Sequence, residues 1–285
     1  GLFYAGGVAW RISNESFLKN MSWLEELKLR LSAGKSGNDD IGESSATNYY
    51  QAAKFRETVG FFPALLPNTG LTFESVVQYN AGVDISLLGN RISFTGDLYR
   101  SNTDDMLIFK PVNAYFGYDV RMENAGTMKN SGWELGLFAR IKDNGTFRWD
   151  IQANLSASRN EITGIDGDKL VTPVTGAEIV NMVGAPANSF YGYVYEGVFA
   201  DASEATAAML VNDRGIAFHA GDARFKDLSG PAGTPDGVIN GYDKTAIGSS
   251  MPSLTGGLTT SLTYGKFTLN MALQFVRGNE VFNYL

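Results

Sequence analysis

Oxygen ligands are concentrated in one stretch of the chain. Asp227-Leu-Ser229-Gly-Pro-Ala-Gly-Thr-Pro-Asp236-Gly237-Val-Ile-Asn240-Gly-Tyr-Asp243 sets Asp227, Ser229, Asp236, Asn240 and Asp243 on a glycine-rich turn, with the Val238 carbonyl as a further donor. Calcium takes six or more oxygens on a turn that glycine keeps tight. EF-hand loops end in a bidentate Glu, and here that place falls to Asp243. The same residues also suit an Asx-turn loop whose carboxylates cap backbone N–H groups. Both readings stand at this stage, and Ca2+ is the one cofactor the residues raise.

Other chemistry is thinly supplied. Asp39-Asp40 and Asp104-Asp105 are paired carboxylates. Adjacent strand residues point to opposite faces, whereas a glycosidase pair must flank one bond across roughly 5–9 Å. Gly34-Lys35-Ser36 matches the end of a phosphate loop, but Leu29 stands where that loop requires glycine. His219 is the sole histidine and has no partners at metal spacing. With no Cys, a disulfide framework, a thiolate zinc site and a cysteine nucleophile are excluded. A net charge of −7 opposes nucleic-acid binding, which needs a basic face. No enzymatic activity and no catalytic residue are expected.

The elements that must position these residues repeat with period two. From Phe147 to Arg159 one face carries Phe147, Trp149, Ile151, Ala153, Leu155 and Ala157, and the other carries Arg148, Asp150, Gln152, Asn154, Ser156 and Ser158. Val77, Tyr79, Ala81, Val83, Ile85 and Leu87 alternate with Gln78, Asn80, Gly82, Asp84 and Ser86. Phe267 to Phe275 repeats the pattern, and weaker versions run at 2–12, 22–33, 90–108, 131–142 and 253–264. Eight strands of this length, each with one apolar face, suit a tilted wall in a bilayer, where a strand needs only about 10 residues. No run of 18 apolar residues is present, so no transmembrane helix is expected.

Short connections at 13–21, Gly89-Asn90, Asp143-Asn144-Gly145 and Gly265-Lys266 alternate with long ones at 34–73, 109–130 and 160–252. This asymmetry is that of an outer-membrane barrel with short periplasmic turns and long external loops. Asn80, Asp84, Arg148, Asp150, Gln152 and Asn154 are then expected to face the lumen. Aromatic loop residues are the candidates for substrate or partner contact: Tyr49 and Tyr50, with Phe55, Phe61 and Phe62, in the first loop; Tyr115, Phe116 and Tyr118 in the second; Tyr191 and Tyr193 in the third. Packing inside the loops is the competing role. The opening Gly-Leu-Phe-Tyr-Ala reads as mid-strand and not as a secretion signal, so a piece of a longer protein is expected.

Several blocks carry a family likeness. They are Val8-Ala-Trp-Arg-Ile-Ser13, Trp23-Leu-Glu-Glu-Leu-Lys-Leu-Arg-Leu-Ser-Ala-Gly34, Tyr79-Asn-Ala-Gly-Val-Asp84 and Asn90-Arg-Ile-Ser-Phe-Thr-Gly-Asp-Leu-Tyr-Arg100. Asn124-Ala-Gly-Thr-Met-Lys-Asn-Ser-Gly-Trp-Glu-Leu135, Phe190-Tyr-Gly-Tyr-Val-Tyr-Glu-Gly-Val-Phe199, Gly221 to Asn240 and Gly278-Asn-Glu-Val-Phe-Asn283 follow in order. Through them the chain resembles the barrel of SusC/RagA-type TonB-dependent outer-membrane transporters of Bacteroidetes. The resemblance implies an all-β antiparallel transmembrane barrel of about 22 strands, of which this chain supplies about eight. It also implies an N-terminal plug, with no counterpart here, so that residues 1–285 form part of the barrel domain. A SusD-like surface lipoprotein, the TonB complex and a glycan or peptide cargo are the implied partners, and the Gram-negative outer membrane is the implied location. In that family the 227–243 loop often reads Asp-x-Asn-Gly-Asp-Gly; here Pro231 to Pro235 are inserted and Ser229 replaces the usual Asn or Asp. A passive porin and a soluble β-sandwich adhesin or carbohydrate-binding module are the alternatives.

Overall fold

The computed structural model describes residues 2–38, 50–63, 66–113, 115, 117–118 and 120–283. They form two compact units, residues 1–168 with 252–278, and 169–251 with 279–285.

The first unit is an antiparallel wall. Its strands are β1 (Ala5–Arg11), β2 (Leu24–Asn38), β5 (Glu74–Leu87), β6 (Ile92–Pro111), β7 (Val120–Asp143), β8 (Phe147–Ile165), β17 (Leu254–Tyr264) and β18 (Phe267–Arg277). They pair in the order β1-β2-β5-β6-β7-β8-β17-β18, so β1 and β18 are the edges and the sheet does not close among the described residues. A hairpin of β3 (Tyr50–Phe55) and β4 (Thr58–Pro63) stands in the connection after β2.

The tight turns fall where expected. Leu88, Gly89 and Asn90 all take left-handed backbone between β5 and β6, and Gly145 and Gly265 do so at the next two hairpins. Residues 12–14 form one turn of 3-10 helix. The strands themselves run further than alternation predicts. β2 extends to Asn38 and β8 to Ile165, and β7 starts at Val120, which shrinks the expected 109–130 connection to 112–119. In these extensions polar residues occupy both faces, so the pairing continues after the apolar periodicity has ended.

Register puts the apolar residues of neighbouring strands on one side. Trp10, Leu29, Val83, Gly96, Leu135, Leu155, Gly256 and Phe275 share a rung across all eight strands. That side is uncovered: Leu31 is 57% exposed, Leu98 62%, Leu273 64% and Phe267 81%. A continuous apolar field of this size has no stable contact with water. The β-sandwich alternative fails here, because a sandwich would bury this face against a second sheet. Two indoles on this side carry their own acceptors. Trp149 Nε1 donates to Thr260 Oγ1 and Trp10 Nε1 to Glu15 Oε1, each at 2.8 Å.

The second unit corrects the expectation of a loop over 160–252. Its strands β9 (Lys169–Val174), β10 (Ala177–Met182), β11 (Ser189–Tyr193) and β16 (Lys244–Gly248) form one sheet in the order β16-β11-β10-β9. β12 (Tyr195–Val198) pairs with β14 (Ala223–Phe225), and β13 (Val211–Asn212) lies parallel to β15 (Val238–Ile239). Helix α1 (Ala202–Ala208) is capped by Asp201, whose side chain accepts from the Glu204 N–H. Phe199 and Val180 are almost fully buried. These strands are two to six residues long, too short to announce themselves by alternation.

Candidate functional site

The wall's polar face is the candidate site. Its residues come from the same alternation that drives Leu and Phe to the other side. Asn80, Asp84, Arg148, Asp150, Gln152 and Asn154 all lie on it, as the spacing predicts.

Toward the short-turn end this face is charged and internally paired. Arg30 Nε and Nη2 donate to Asp84 at 2.9 Å, and Nη2 also reaches Asp97 at 3.1 Å. Lys28 lies 3.2 Å from Asp84, and Arg11 pairs with Glu26 at 3.0 Å. On the other half of the wall Asp150 accepts from Arg140 at 3.0 Å and from Arg148 at 2.6 Å. Glu134, opposite Asp97 in register, is exposed. A polar trough of about 650 Å³ opens there, lined in part by Asp97, Glu134, Gln152, Asn154 and Thr259.

Toward the long-connection end the same face carries amides and hydroxyls instead of charges. Gln78 donates to Asn80 and Asn80 to Ser32, while Asn160 donates to Asn130 and to the Met128 sulfur. Tyr99 lies over Gly132, where a Cβ would come within 2.5 Å of its hydroxyl.

The aromatic candidates separate by exposure. Tyr115 is 93% exposed and Tyr50 67%, Phe61 is exposed, and Tyr118 is half-buried. Tyr191 is a packing residue in this structure. It is 9% exposed and its hydroxyl accepts from Lys169 Nζ at 2.5 Å. Tyr193 is half-buried against Phe225, ring centroids 5.4 Å apart. Lys244 lies beside both rings and pairs with Glu178 at 2.6 Å. The hydrogen bond to Glu178 holds the Lys244 ammonium above its ordinary pKa, against the opposing effect of burial. Tyr49, Phe116, Asp39 and Asp40 lie outside the described residues, as do the side chains of Phe55 and Phe62.

In the oxygen-rich loop, carboxylates meet backbone donors. Asp243 is fully buried and accepts from the N–H groups of Leu228, Ser229 and Asn240. Asp227 accepts from Gly237 and Asp236, Asp236 from Val238, and Asn240 from Tyr242. The Ser229 hydroxyl donates to the Gly230 carbonyl. Among the described residues no three His, Cys, Asp or Glu side chains converge as a metal site. His219 is exposed, with Nδ1 3.7 Å from Asp222.

Sequence reasoning placed Asp104 and Asp105 in a regular strand. They form a bulge instead, with Asp105 in left-handed backbone, so that Thr103 and Met106 pair with Met128 and Gly126. It also missed Asn124, which ties three segments together. Its side chain accepts from the Thr72 N–H and donates to the Thr72 and Asp105 carbonyls. An Asn within the strand extension was the available signal.

The chain spans about 28% of the length of the curated relatives it matches. TonB-dependent receptor P3 of Formosa agariphila is 28% identical over 295 residues, covering 99% of this chain. TonB-dependent receptor SusC of Bacteroides thetaiotaomicron is 27% identical over 304 residues, again covering 99% of this chain and 28% of its own length. Among solved structures, the RagAB peptide transporter superposes on 97% of this chain and 29% of its own, with a TM-score of 0.77 and 26% identity. The family model described as TonB dependent receptor-like, beta-barrel, matches residues 1–279. The wall just described, with one side bare and apolar and the other polar, is what such a barrel requires, and the chain belongs to the TonB-dependent receptor β-barrel family.

Proposed function

We propose that this chain is the wall of an outer-membrane importer. Energised through TonB, the whole protein takes up oligosaccharides together with a SusD-like surface lipoprotein. The observation that carries the reading is the two-sidedness of the eight-stranded sheet, whose exposed apolar face suits lipid and whose polar face suits a wet lumen. The family resemblance implies a glycan or peptide cargo, and exposed Tyr50 and Tyr115 offer rings on which sugars stack. The wall serves as a passage, and no step of covalent chemistry is assigned to it. A Gram-negative outer membrane is the location that follows. The oxygen-rich loop is read as a self-capped turn that needs no calcium.

Peptide cargo is the second reading, favoured by the superposition on the RagAB peptide transporter.

The test is uptake of labelled oligosaccharides and peptides by cells with and without the full-length gene. Uptake should disappear on deletion and on collapse of the proton-motive force. Uptake that survives de-energisation would make the protein a passive pore. Selective loss of peptide uptake would move the assignment to the second reading.

A further inference from the structure

The ends of four strands change character together on the apolar side of the wall. Toward the long connections, Ala157 of β8 is followed on that side by Arg159, and Leu98 of β6 by Arg100. Trp133 of β7 is followed by Ser131 and Lys129, and Leu31 of β2 by Ala33 and Lys35. Register gathers them. Tyr79, Arg100, Ser131 and Arg159 share one rung, and Lys35, Val77, Asn102, Lys129 and Glu161 share the next on that face.

Their height is informative. The apolar run from Phe147 to Ala157 on β8 measures about 34 Å along the strand and about 26 Å across the layer at a tilt of about 40°. Outer-membrane barrels carry an apolar band about 25 Å tall. The basic row therefore begins where hydrocarbon ends and headgroups begin. Arg100 is exposed, and the Arg159 side chain is 75% exposed while lying 3.3 Å from Glu161. Lys35 and Lys129 have no ion-pair partner among the described residues. Glu161 and, one rung further, Asp104 are the carboxylates facing these four cations.

We propose that this row binds the phosphorylated headgroup of an outer-leaflet lipid, with Arg100, Lys129 and Arg159 surrounding one phosphate and Lys35 beside it. Arg100 and Arg159 stand two strands apart, about 10 Å between backbones. Lys129 lies on the intervening strand, one rung out. Long cationic side chains at this depth reach the headgroup layer while their stems stay on apolar surface. Charge complementarity and continuity with the lipid-facing band both point to this occupant. The inference rests on the outer-membrane reading above.

The test uses the full-length protein in detergent, with binding of a bisphosphorylated lipid A and of its dephosphorylated form read by native mass spectrometry. The phosphorylated lipid should bind at least about tenfold more tightly, since each cation near an anionic surface is worth about fivefold. The triple variant Arg100→Gln, Lys129→Gln, Arg159→Gln should keep no more than about a twofold preference, and Glu161→Gln should strengthen binding severalfold. An undiminished preference in the triple variant, or equal binding of the two lipids, overturns the proposal. So does displacement of lipid by micromolar inorganic phosphate, which would indicate an anion site and not a lipid surface. Heat-modifiable migration on gels checks folding; if the triple variant does not fold, an unchanged affinity in Glu161→Gln overturns the proposal by itself. Failure of the wild-type protein to insert into vesicles would sink the membrane reading, whereas insertion without lipid preference would sink only this one.

Discussion

Arg30 of β2 holds Asp84 of β5 through two parallel hydrogen bonds of 2.9 Å, and the same guanidinium spans to Asp97 of β6. Gly82 makes that span possible. It sits opposite both Arg30 and Asp97 in register, and a Cβ there would meet the Asp97 carboxylate and come within 2.7 Å of the Arg30 guanidinium carbon. Gly82→Ala should therefore break the three-strand bridge and cost about 1–3 kcal/mol through overpacking. The unfolding midpoint of the full-length protein in urea and detergent measures it. An unchanged midpoint would mean that the guanidinium swings aside freely.

The oxygen-rich loop should depend on Asp243 far more than on any metal. Its two oxygens accept three backbone N–H groups in a fully buried place. In Asp243→Asn an amide NH2 must face a backbone donor, which costs about 1–3 kcal/mol. Limited proteolysis of the full-length protein should then cut within 227–243, while a calcium chelator added to the wild type leaves that segment protected. Chelator-induced cleavage would instead establish a metal-dependent loop.

Alkaline pH should loosen the second unit through one ion pair. Lys244 is held above its ordinary 10.5 by the hydrogen bond to Glu178. A raised lysine pKa stabilises fully below the ordinary value, and the contribution fades as pH climbs through the raised one. The pair is about a third exposed, so its worth is at most about 1 kcal/mol. Hydrogen exchange over 169–251, divided by its base-catalysed intrinsic rate, should stay flat from neutral pH to about 10 and accelerate above it. Glu178→Gln should abolish that extra acceleration.

Exposure separates Tyr50 and Tyr115 from Tyr191, and function should follow it. Tyr50→Ala with Tyr115→Ala removes two rings presented to solvent and should weaken cargo binding by about 1–2 kcal/mol without lowering barrel stability. Tyr191→Phe removes only a buried acceptor for Lys169, and it should leave cargo affinity unchanged. Isothermal titration with whichever oligosaccharide or peptide the uptake assay identifies distinguishes them, and the reverse pattern would place recognition in the second unit.

Where one face of a strand is greasy and the other wet, the chain announces its structure. Phe147 to Arg159 and Val77 to Leu87 alternate cleanly, and both pair in the register that puts Asp84, Asp150 and Asn154 on the polar face. The legible part ends where that contrast ends. Residues 120–130 stay paired where Asn124 and Asn130 interrupt the apolar Val120, Met122 and Met128, and the bulge at Asp104-Asp105 shifts the count by one, which no composition cue marks. The second unit escaped because strands such as Val211–Asn212 are held by neighbours distant in sequence. Tyr191 and Tyr193 alternate visibly, yet only the fold tells that one ring is packed away and the other half open.

The two indoles on the wall's bare side differ in what holds them. A tryptophan at a bilayer rim ordinarily fixes its depth, because its N–H must find water or a headgroup. Trp149 and Trp10 already spend theirs on Thr260 and Glu15. Trp149 is therefore satisfied inside the sheet and contributes grease without acting as a mooring, whereas Trp10 is tied through the Glu15 carboxylate to the short turn at the aqueous boundary.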